Sequence, residues 1–288
     1  LKARFDEYNN LEVAEQLKKS GVHVIYSLPR LKVHAKMALV VREEADGRDM
    51  SYAYLSTGNF NERTAEIYTD HALFTADKEI TQEVGEVFDY LEDQARLPHL
   101  KALLMSQLNM VDQLKRLIQG EIDKVGRGEE GYILLKMNGM QNHALIDLLY
   151  EASGAGVKID LIVRGISCLV PEQPYSENIS VRRIIDRYLE HGRVWVFGRG
   201  EEAKMYLTSS DWLNRNVERR IEIAFPIKDK MIRDEIIRLL EFQLMDNVKA
   251  RILDKTLKGH KPERTSEEPI FRAQDMIFEE LTKTNDYR

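Results

Sequence analysis

An ordered set of four sequence elements occurs twice in this chain, and it constrains the fold more than any other feature. Each copy has a glycine that leads into an apolar strand, a histidine two residues before a cation, a strand that ends in hydroxyl side chains, and a last strand with an acidic residue. The elements lie at 21–25, 34–36, 54–60 and 68–73 in the first copy, and at 156–164, 191–193, 206–212 and 220–225 in the second. The repetition predicts two tandem α/β domains, residues 1–100 and 101–288, packed about a pseudo-twofold axis and followed by C-terminal helices.

Apolar spacing predicts the elements within each copy. The predicted helices cover 10–20, 78–93, 111–124, 144–153, 184–189, 228–253 and 269–282. The predicted strands cover 22–26, 34–42, 52–56, 68–74, 132–136 and 156–164, and the first of them reads as buried. Residues 94–99, which include Pro98, are the predicted boundary between the domains.

Composition excludes several classes of protein. The 288 residues are 43% hydrophobic, which is enough for a sizeable core in each of two domains. The net charge of -6 argues against a general nucleic-acid-binding protein, so we expect no nucleic-acid partner. The single cysteine, Cys168, suits a reducing compartment. We find no signal peptide and no apolar run of about 18 residues, so we expect a cytoplasmic protein, with association at a membrane surface left open.

The two histidine elements predict chemistry at phosphorus. His34 and Lys36 point to the same side of a strand, because alternate residues share a face. An imidazole beside a fixed cation can attack a phosphoryl group whose oxygens carry negative charge. If the two copies face each other, His34 and His191 meet across one cleft, where one attacks and the other manages a proton. The alternative is a surface histidine and lysine on an edge strand.

Acidic and basic residues complete the candidate site. Asp70 and Glu222 occupy equivalent positions in the two copies and are candidates for holding the second nitrogen of each imidazole. Which carboxylate serves which histidine stays open, and either acid could instead be a solvated residue at a strand end. The candidate phosphate-binding cations are Arg4, Lys36, Lys136, Arg164 and Arg193.

Eight short motifs, spread over nearly the whole chain, resemble one family. They include Lys-Ala-Arg-Phe-Asp-Glu at 2–7, Leu-Lys-Val-His-Ala-Lys at 31–36, Ser-Thr-Gly-Asn-Phe-Asn at 56–61 and Ser-Ser-Asp-Trp-Leu-Asn-Arg-Asn at 209–216. The others lie at 21–26, 67–70, 161–166 and 187–191. Together they resemble the C-terminal catalytic half of bacterial polyphosphate kinase, which is of the phospholipase D-like type.

The resemblance implies a reaction and roles for particular residues. It implies reversible transfer of the γ-phosphate of ATP onto inorganic polyphosphate through a phosphohistidine, with Mg²⁺. The phosphorylated histidine of the family falls on His34 and its magnesium-associated arginine on Arg4. Its nucleotide contacts fall on Tyr68, Arg164 and His191. ATP or ADP and polyphosphate are then the partners, and we expect a homo-oligomer whose number of subunits the sequence does not give.

The sequence also departs from the patterns that it resembles. Val41 stands where the phospholipase D pattern has an aspartate, and the second copy has an arginine, Arg193, in place of the lysine. Both departures weigh against the first alternative, a lipid or nucleic-acid phosphodiesterase; the second alternative is a catalytically silent scaffold. The family has an upstream region with a further nucleotide contact and a further magnesium-associated arginine. We therefore expect the full-length enzyme to be a kinase, and these 288 residues alone to bind phosphates weakly and turn over poorly.

Overall fold

The computed structural model describes residues 7–25 and 31–285, which form a mixed α/β structure. The helices are α1 (Glu7–Lys19), α2 (Glu62–Ala65), α3 (Lys78–Glu92), α4 (Met110–Gly126), α5 (His143–Gly154), α6 (Asn214–Arg219), α7 (Lys230–Met245) and α8 (Ala273–Asn285). The strands are β1 (Lys32–Val33), β2 (Lys36–Glu43), β3 (Asp49–Ser56), β4 (Tyr68–Thr69), β5 (Ala72–Thr75), β6 (Leu104–Met105), β7 (Tyr132–Met137), β8 (Lys158–Val163), β9 (Ile179–Ile184), β10 (Leu189–Glu190), β11 (Val194–Phe197), β12 (Lys204–Thr208), β13 (Arg220–Ile221), β14 (Ile223–Pro226), β15 (Ala250–Leu253) and β16 (Gly259–His260).

A nine-stranded sheet forms the centre of the larger part of the chain, in the order β16-β15-β9-β8-β7-β11-β12-β14-β6. β7, β8 and β9 are parallel, and the flanking strands are antiparallel. All residues of β7 and β11 are buried, as expected of central strands covered on both faces. Leu114, Leu145 and Leu149 of α4 and α5 belong to the core on one face. Because β7 and β8 are parallel, their carboxyl ends lie at the same edge of the sheet. The candidate site is beside this edge.

A smaller antiparallel sheet, β2-β3-β5, is formed by residues 36–75. Its inward residues Ala53 and Leu55 pack with Ile80 and Val84 of α3. This core is continuous with the second face of the large sheet, where it includes Val196. The two sheets are thus joined by one apolar layer, which fixes the position of one relative to the other.

Two very short parallel strand pairs join distant parts of the chain. β1 pairs with β13, in the register Lys32 with Arg220. β4 pairs with β10, in the register Tyr68 with Leu189. In each pair, a histidine directly follows one strand and an acidic residue directly follows the other. The two ladders therefore bring the candidate catalytic side chains together.

Most predicted elements are present, with shifted ends. The helices predicted at 10–20, 78–93, 111–124, 144–153 and 269–282 correspond to α1, α3, α4, α5 and α8. The strands predicted at 34–42, 52–56, 132–136 and 156–164 correspond to β2, β3, β7 and β8. None of the helices in the described ranges has both the length and the apolar character needed to cross a membrane.

The prediction of a buried strand at 22–26 is wrong for residues 22–25. These residues have no regular structure, and Val22 and Ile25 are about half exposed, because no strand within residues 7–25 and 31–285 pairs with them. The strand predicted at 68–74 is interrupted at Asp70 and His71. The interruption arises because β4 pairs with β10, whereas β5 pairs with β3.

Two predicted helices are also wrong. Residues 184–189 comprise the last residue of β9, an irregular segment and the first residue of β10. The apolar residues that suggested a helix therefore include the ends of two strands. The helix predicted over 228–253 ends at Met245, and the chain returns as β15. The turn forms because the buried Asp246 carboxylate accepts hydrogen bonds from the N–H groups of Val248, Lys249 and Ala250.

Glu83 of α3 generates the first testable prediction. Its buried carboxylate accepts hydrogen bonds from the backbone N–H groups of residues 101–103 at distances of 2.7 to 3.1 Å, where the chain enters the large sheet. Glu83→Ala leaves these N–H groups without a partner and should lower the free energy of unfolding by about 2–4 kcal/mol, measured by urea denaturation. The matched control is Glu86→Ala on the same helix. Glu86 accepts one backbone N–H in an exposed position, and its removal should cost less than about 1 kcal/mol. Equal losses for the two variants would contradict the prediction.

Candidate active site

His34 lies directly after β1 and is fixed by contacts with the second half of the chain. Its backbone N–H donates to the carbonyl of Ile221 at 2.8 Å. Its Nδ1 is 2.8 Å from the Oε2 atom of Glu222, whose side chain is completely buried. The ladder between β1 and β13 sets this geometry, because it places His34 beside the residue that follows β13.

His191 lies directly after β10 and is held in the same way by the first half of the chain. Its backbone N–H donates to the carbonyl of Thr69 at 3.2 Å, and its Nδ1 lies 2.8 and 2.9 Å from the two carboxylate oxygens of Asp70. The sequence left open which acid faces which histidine. The structure pairs each histidine with the carboxylate from the other half of the chain.

Hydroxyl groups orient both carboxylates. Thr57 Oγ1 donates to Asp70 at 2.7 Å, and Ser209 Oγ donates to Glu222 at 2.5 Å. Thr57 directly follows β3 and Ser209 directly follows β12, and the sequence analysis identified both motifs without assigning them a role. Gly58 is needed beside Thr57, because a Cβ atom at this position would overlap the Asp70 carboxylate.

Both imidazoles present the same nitrogen to a cation. Because Nδ1 donates its proton to a carboxylate, the lone pair is on Nε2. The Nε2 atom of His34 is 2.9 Å from Lys36 Nζ, and that of His191 is 3.1 Å from Arg193 Nη1. Burial lowers the pKa of both histidines, more than the hydrogen bonds to Glu222 and Asp70 raise it. Two neutral imidazoles therefore hold a nucleophilic nitrogen next to a positive charge.

The two cations differ in how firmly they keep their charge. Burial lowers the pKa of Lys36 to about 7, and only 6% of the residue is exposed. Arg193 stays charged, as guanidinium groups do, and it is held by the Asp211 carboxylate at 3.3 Å and the Thr57 carbonyl. Lys36 is therefore a cation whose proton depends on the charge brought into the site.

Lys136, which we predicted to bind phosphate, lies in a buried ion pair instead. Its Nζ atom is 2.6 Å from Glu190, and both side chains are almost fully buried. Glu190 also accepts hydrogen bonds from Gln243 of α7 and Gln274 of α8. Because Glu190 directly precedes His191, this cluster attaches both C-terminal helices to the segment that carries the second imidazole.

The predicted nucleotide contacts surround His191. The ring of Tyr68 lies 4.8 Å from the imidazole of His191, centroid to centroid, at an angle of 50°. Arg164 is half-buried, and its Nε donates to Asn138 Oδ1 at 2.8 Å. Burial lowers the pKa of Arg164. Arg4 lies outside the described residues.

The sequence analysis gave no role to several residues at the site, among them Asn138 and Arg220. Asn138, after β7, donates from Nδ2 to the His191 carbonyl and from its backbone N–H to Asp211, besides binding Arg164. Arg220 lies 3.8 Å from Glu222. The available signal for Asn138 was its place after a buried parallel strand, where polar residues of α/β proteins meet.

The residues present do not form a magnesium cage. In the described ranges, no group of three or more His, Cys, Asp or Glu side chains is placed to hold a metal ion. The site carboxylates Asp70 and Glu222 are already bonded to imidazoles and hydroxyl groups.

The fold and the site define the class of this chain: a mixed α/β protein with two carboxylate-held histidines, each beside a cation. Comparison with known proteins then gives the family. The model "Polyphosphate kinase C-terminal domain 1" matches residues 1–97, and "Polyphosphate kinase C-terminal domain 2" matches residues 103–274. The chain belongs to the polyphosphate kinase family.

Individual proteins that are similar to this chain support the same family. The polyphosphate kinase of Yersinia pestis is 44% identical over 282 residues, which are 98% of this chain and 41% of that protein. That of Escherichia coli is 41% identical over 280 residues, 97% of this chain and 40% of that protein. The crystal structure of polyphosphate kinase from Porphyromonas gingivalis matches 100% of this chain and 44% of its own, with 45% identity and a TM-score of 0.91. The chain thus spans about two-fifths of the length of its curated relatives.

Lys36 generates the second prediction. Its pKa is lower in the folded than in the unfolded chain, where it is near 10.5, so the unfolded state binds more protons between about pH 7 and pH 10. The cost of the buried charge is therefore full below pH 7 and is relieved as the pH rises. Lys36→Met should stabilise the ligand-free protein by about 1–3 kcal/mol near pH 6, and by less near pH 9. The measurement is urea denaturation at both pH values.

Lys204→Met, at an exposed position of β12, controls for the loss of one lysine. The prediction is wrong if Lys36→Met destabilises the protein near pH 6, or if its effect is the same at both pH values.

Proposed function

We propose that this chain is the catalytic part of a polyphosphate kinase, which reversibly transfers the γ-phosphate of ATP to inorganic polyphosphate through a phosphohistidine on His34. The observation that carries the proposal is the contact between His34 Nε2 and Lys36, with Nδ1 held by Glu222. This arrangement combines an unprotonated Nε2 atom, an imidazole fixed at Nδ1 and a cation for the incoming phosphoryl oxygens.

The first half-reaction transfers the phosphoryl group to the enzyme. The His34 Nε2 lone pair forms a bond to the γ-phosphorus as the bond to the bridging oxygen breaks, and the electron pair leaves with ADP. The Glu222 carboxylate accepts the hydrogen bond from Nδ1–H, so that this proton stays on the imidazole. It also stabilises the positive charge that develops on the ring. Lys36 and Arg193 offset the charge on the transferred oxygens. The arriving phosphate also raises the pKa of Lys36, so that this residue becomes a full cation.

In the second half-reaction a terminal oxygen of polyphosphate attacks the phosphohistidine. A new phosphorus–oxygen bond forms, the nitrogen–phosphorus bond breaks, and its electron pair returns to Nε2. His191 faces the same group of cations and manages the proton on the leaving or entering oxygen, with Asp70 holding its tautomer. Tyr68, Arg164 and His191 bind the nucleotide, and Arg4 keeps the magnesium-associated position that the family implies.

The contacts of the described residues revise one role within this proposal. Lys136 is the counter-ion of Glu190 and supports the His191 segment, rather than contacting phosphate itself. Magnesium would enter with the nucleotide, because the described side chains do not form a cage for it.

The proposal includes two phospholipase D-like domains, residues 1–100 and 101–288, related by a pseudo-twofold axis. Reciprocal contacts support it. Each histidine segment pairs with the acidic segment of the other half, each imidazole binds the other half's carboxylate, and each carboxylate accepts from a hydroxyl of its own half. The strand orders β2-β3-β5 and β11-β12-β14 also correspond. We further propose a cytoplasmic homo-oligomer whose partners are ATP or ADP and polyphosphate, without nucleic acid.

The third prediction tests the intermediate. Full-length enzyme incubated with γ-labelled ATP should carry an acid-labile, base-stable phosphate on His34, detected by peptide mapping. His34→Gln should abolish the label, because the nucleophilic nitrogen is lost. His143→Gln, at the exposed start of α5, is the control and should retain it. An acid-stable label, as a phosphoester would give, or a label on another residue would exclude this mechanism. No label and no ATP:polyphosphate exchange would favour the silent scaffold.

The fourth prediction separates the two carboxylates. Glu222→Gln removes the group that raises the pKa of His34 and fixes its tautomer, so labelling of His34 should slow by about 100-fold or more. Asp70→Asn acts on His191 and should slow labelling less than Glu222→Gln does. Rapid-quench kinetics measures both rates in a single turnover. The assignment fails if Asp70→Asn slows labelling more than Glu222→Gln.

A further inference from the structure

Three arginines lie on or directly after neighbouring strands of the large sheet: Arg164 follows β8, Arg183 is on β9 and Arg251 is on β15. Within the part of the chain that the structure describes, no carboxylate lies within ion-pair distance of Arg164, Arg183 or Arg251. The whole chain has a net charge of -6, so acidic side chains are not scarce. Neighbouring guanidinium groups without counter-ions suggest that an anion from outside the chain completes them.

Hydrogen bonds link Arg164 and Arg183 to the segment that carries His191. Asn138 binds the His191 carbonyl and also the Nε of Arg164. The next residue, Gly165, donates from its N–H to the Asn138 carbonyl, and its own carbonyl accepts from Arg183 Nη2 at 2.7 Å. A side chain at Gly165 would meet the Asn138 carbonyl oxygen at 2.5 Å, so glycine permits this close junction.

Arg183 and Arg251 lie directly opposite each other on β9 and β15. Side chains at such positions are about 5 Å apart at Cβ, and like charges there are destabilising. Arg183 Nε is also buried without a hydrogen-bond partner. The hydrogen bonds of Arg251 Nη1 within the described residues go to two backbone carbonyls, that of Ala250 in the same strand and that of Lys249 directly before it. Both features cost free energy in the ligand-free protein, which an anion between the two groups would offset.

We propose that Arg183 and Arg251, which are linked to the site through Arg164 and Gly165, form an arginine track that binds phosphates of the polyphosphate chain beyond the one that reacts. The proposal rests on the proposed function. A linear phosphoanhydride chain carries charge along its whole length, and closely spaced guanidinium groups can bind successive phosphates through pairs of hydrogen bonds. The track would hold the chain while its end is at His34.

The test compares a long with a short ligand. The dissociation constants of polyphosphate of about 60 residues and of tripolyphosphate are measured for the wild-type chain, Arg183→Gln, Arg251→Gln and the double variant. Each single change should weaken binding of the long ligand about tenfold, because a charge-assisted hydrogen bond is lost. Binding of tripolyphosphate, which reaches only the central site, should change less than about twofold. The slope of log Kd against log salt should fall by about one for each lost phosphate contact.

Arg116→Gln is the matched control, since Arg116 is exposed on α4 and is not part of the track. A second measurement separates binding from folding. Without ligand, the unfolding temperature of Arg183→Met should change by less than about 3 °C, because the lost hydrogen bond to the Gly165 carbonyl is offset by removal of a like-charge pair and of a buried unpaired Nε. Added polyphosphate should raise the unfolding temperature of the wild type more than that of the double variant.

Each outcome supports or overturns the track. Wild-type affinity in both track variants, equal loss for long and short ligands, or an equal effect of Arg116→Gln would overturn it. A clear drop in the unfolding temperature of Arg183→Met would show a structural role instead. If the wild type binds single-stranded DNA more strongly than polyphosphate, the ligand of the track is a nucleic acid and the proposal is wrong. If the wild type binds no polyphosphate and ATP does not label His34 in the full-length enzyme, the proposed function itself fails.

Discussion

Two hydrogen bonds between distant halves of the chain, His34 with Glu222 and His191 with Asp70, are the contacts on which the site depends. They join residues 188 and 121 positions apart. Each bond fixes the tautomer of an imidazole and so leaves Nε2 unprotonated beside a cation. Without the short ladders β1–β13 and β4–β10, the histidines and carboxylates would have no common location.

Burial gives these contacts their chemical effect. Glu222 is fully buried, and water is largely excluded from Lys36 and Arg193, so each charge is balanced by designated partners instead of solvent. The same burial keeps both histidines neutral and lowers the pKa of Lys36 to about 7. A site of this kind is costly when empty, and in the reaction that we propose an arriving phosphate would relieve part of the cost.

The C-terminal helices share in this arrangement through Glu190. Gln243 and Gln274 bind a carboxylate that is adjacent in sequence to His191, and Lys136 neutralises it. The helices therefore do more than cover the sheet. They restrain the segment that carries the second imidazole, which explains why a buried ion pair stands where the sequence indicated a phosphate-binding lysine.

The sequence by itself determined the residue types of the site, most of the helices and central strands, and the family. These depend on local pattern: apolar spacing, the spacing of His34 and Lys36, and motifs such as 56–61 and 209–216. Only the tertiary structure decided which carboxylate faces which histidine, that Lys136 pairs with Glu190, and that residues 22–25 form no strand. The reason is that each of these outcomes depends on a partner far away in the chain. A two-residue ladder such as β1–β13 leaves no periodic signal, and a strand or an ion pair exists only where the fold supplies the group that completes it.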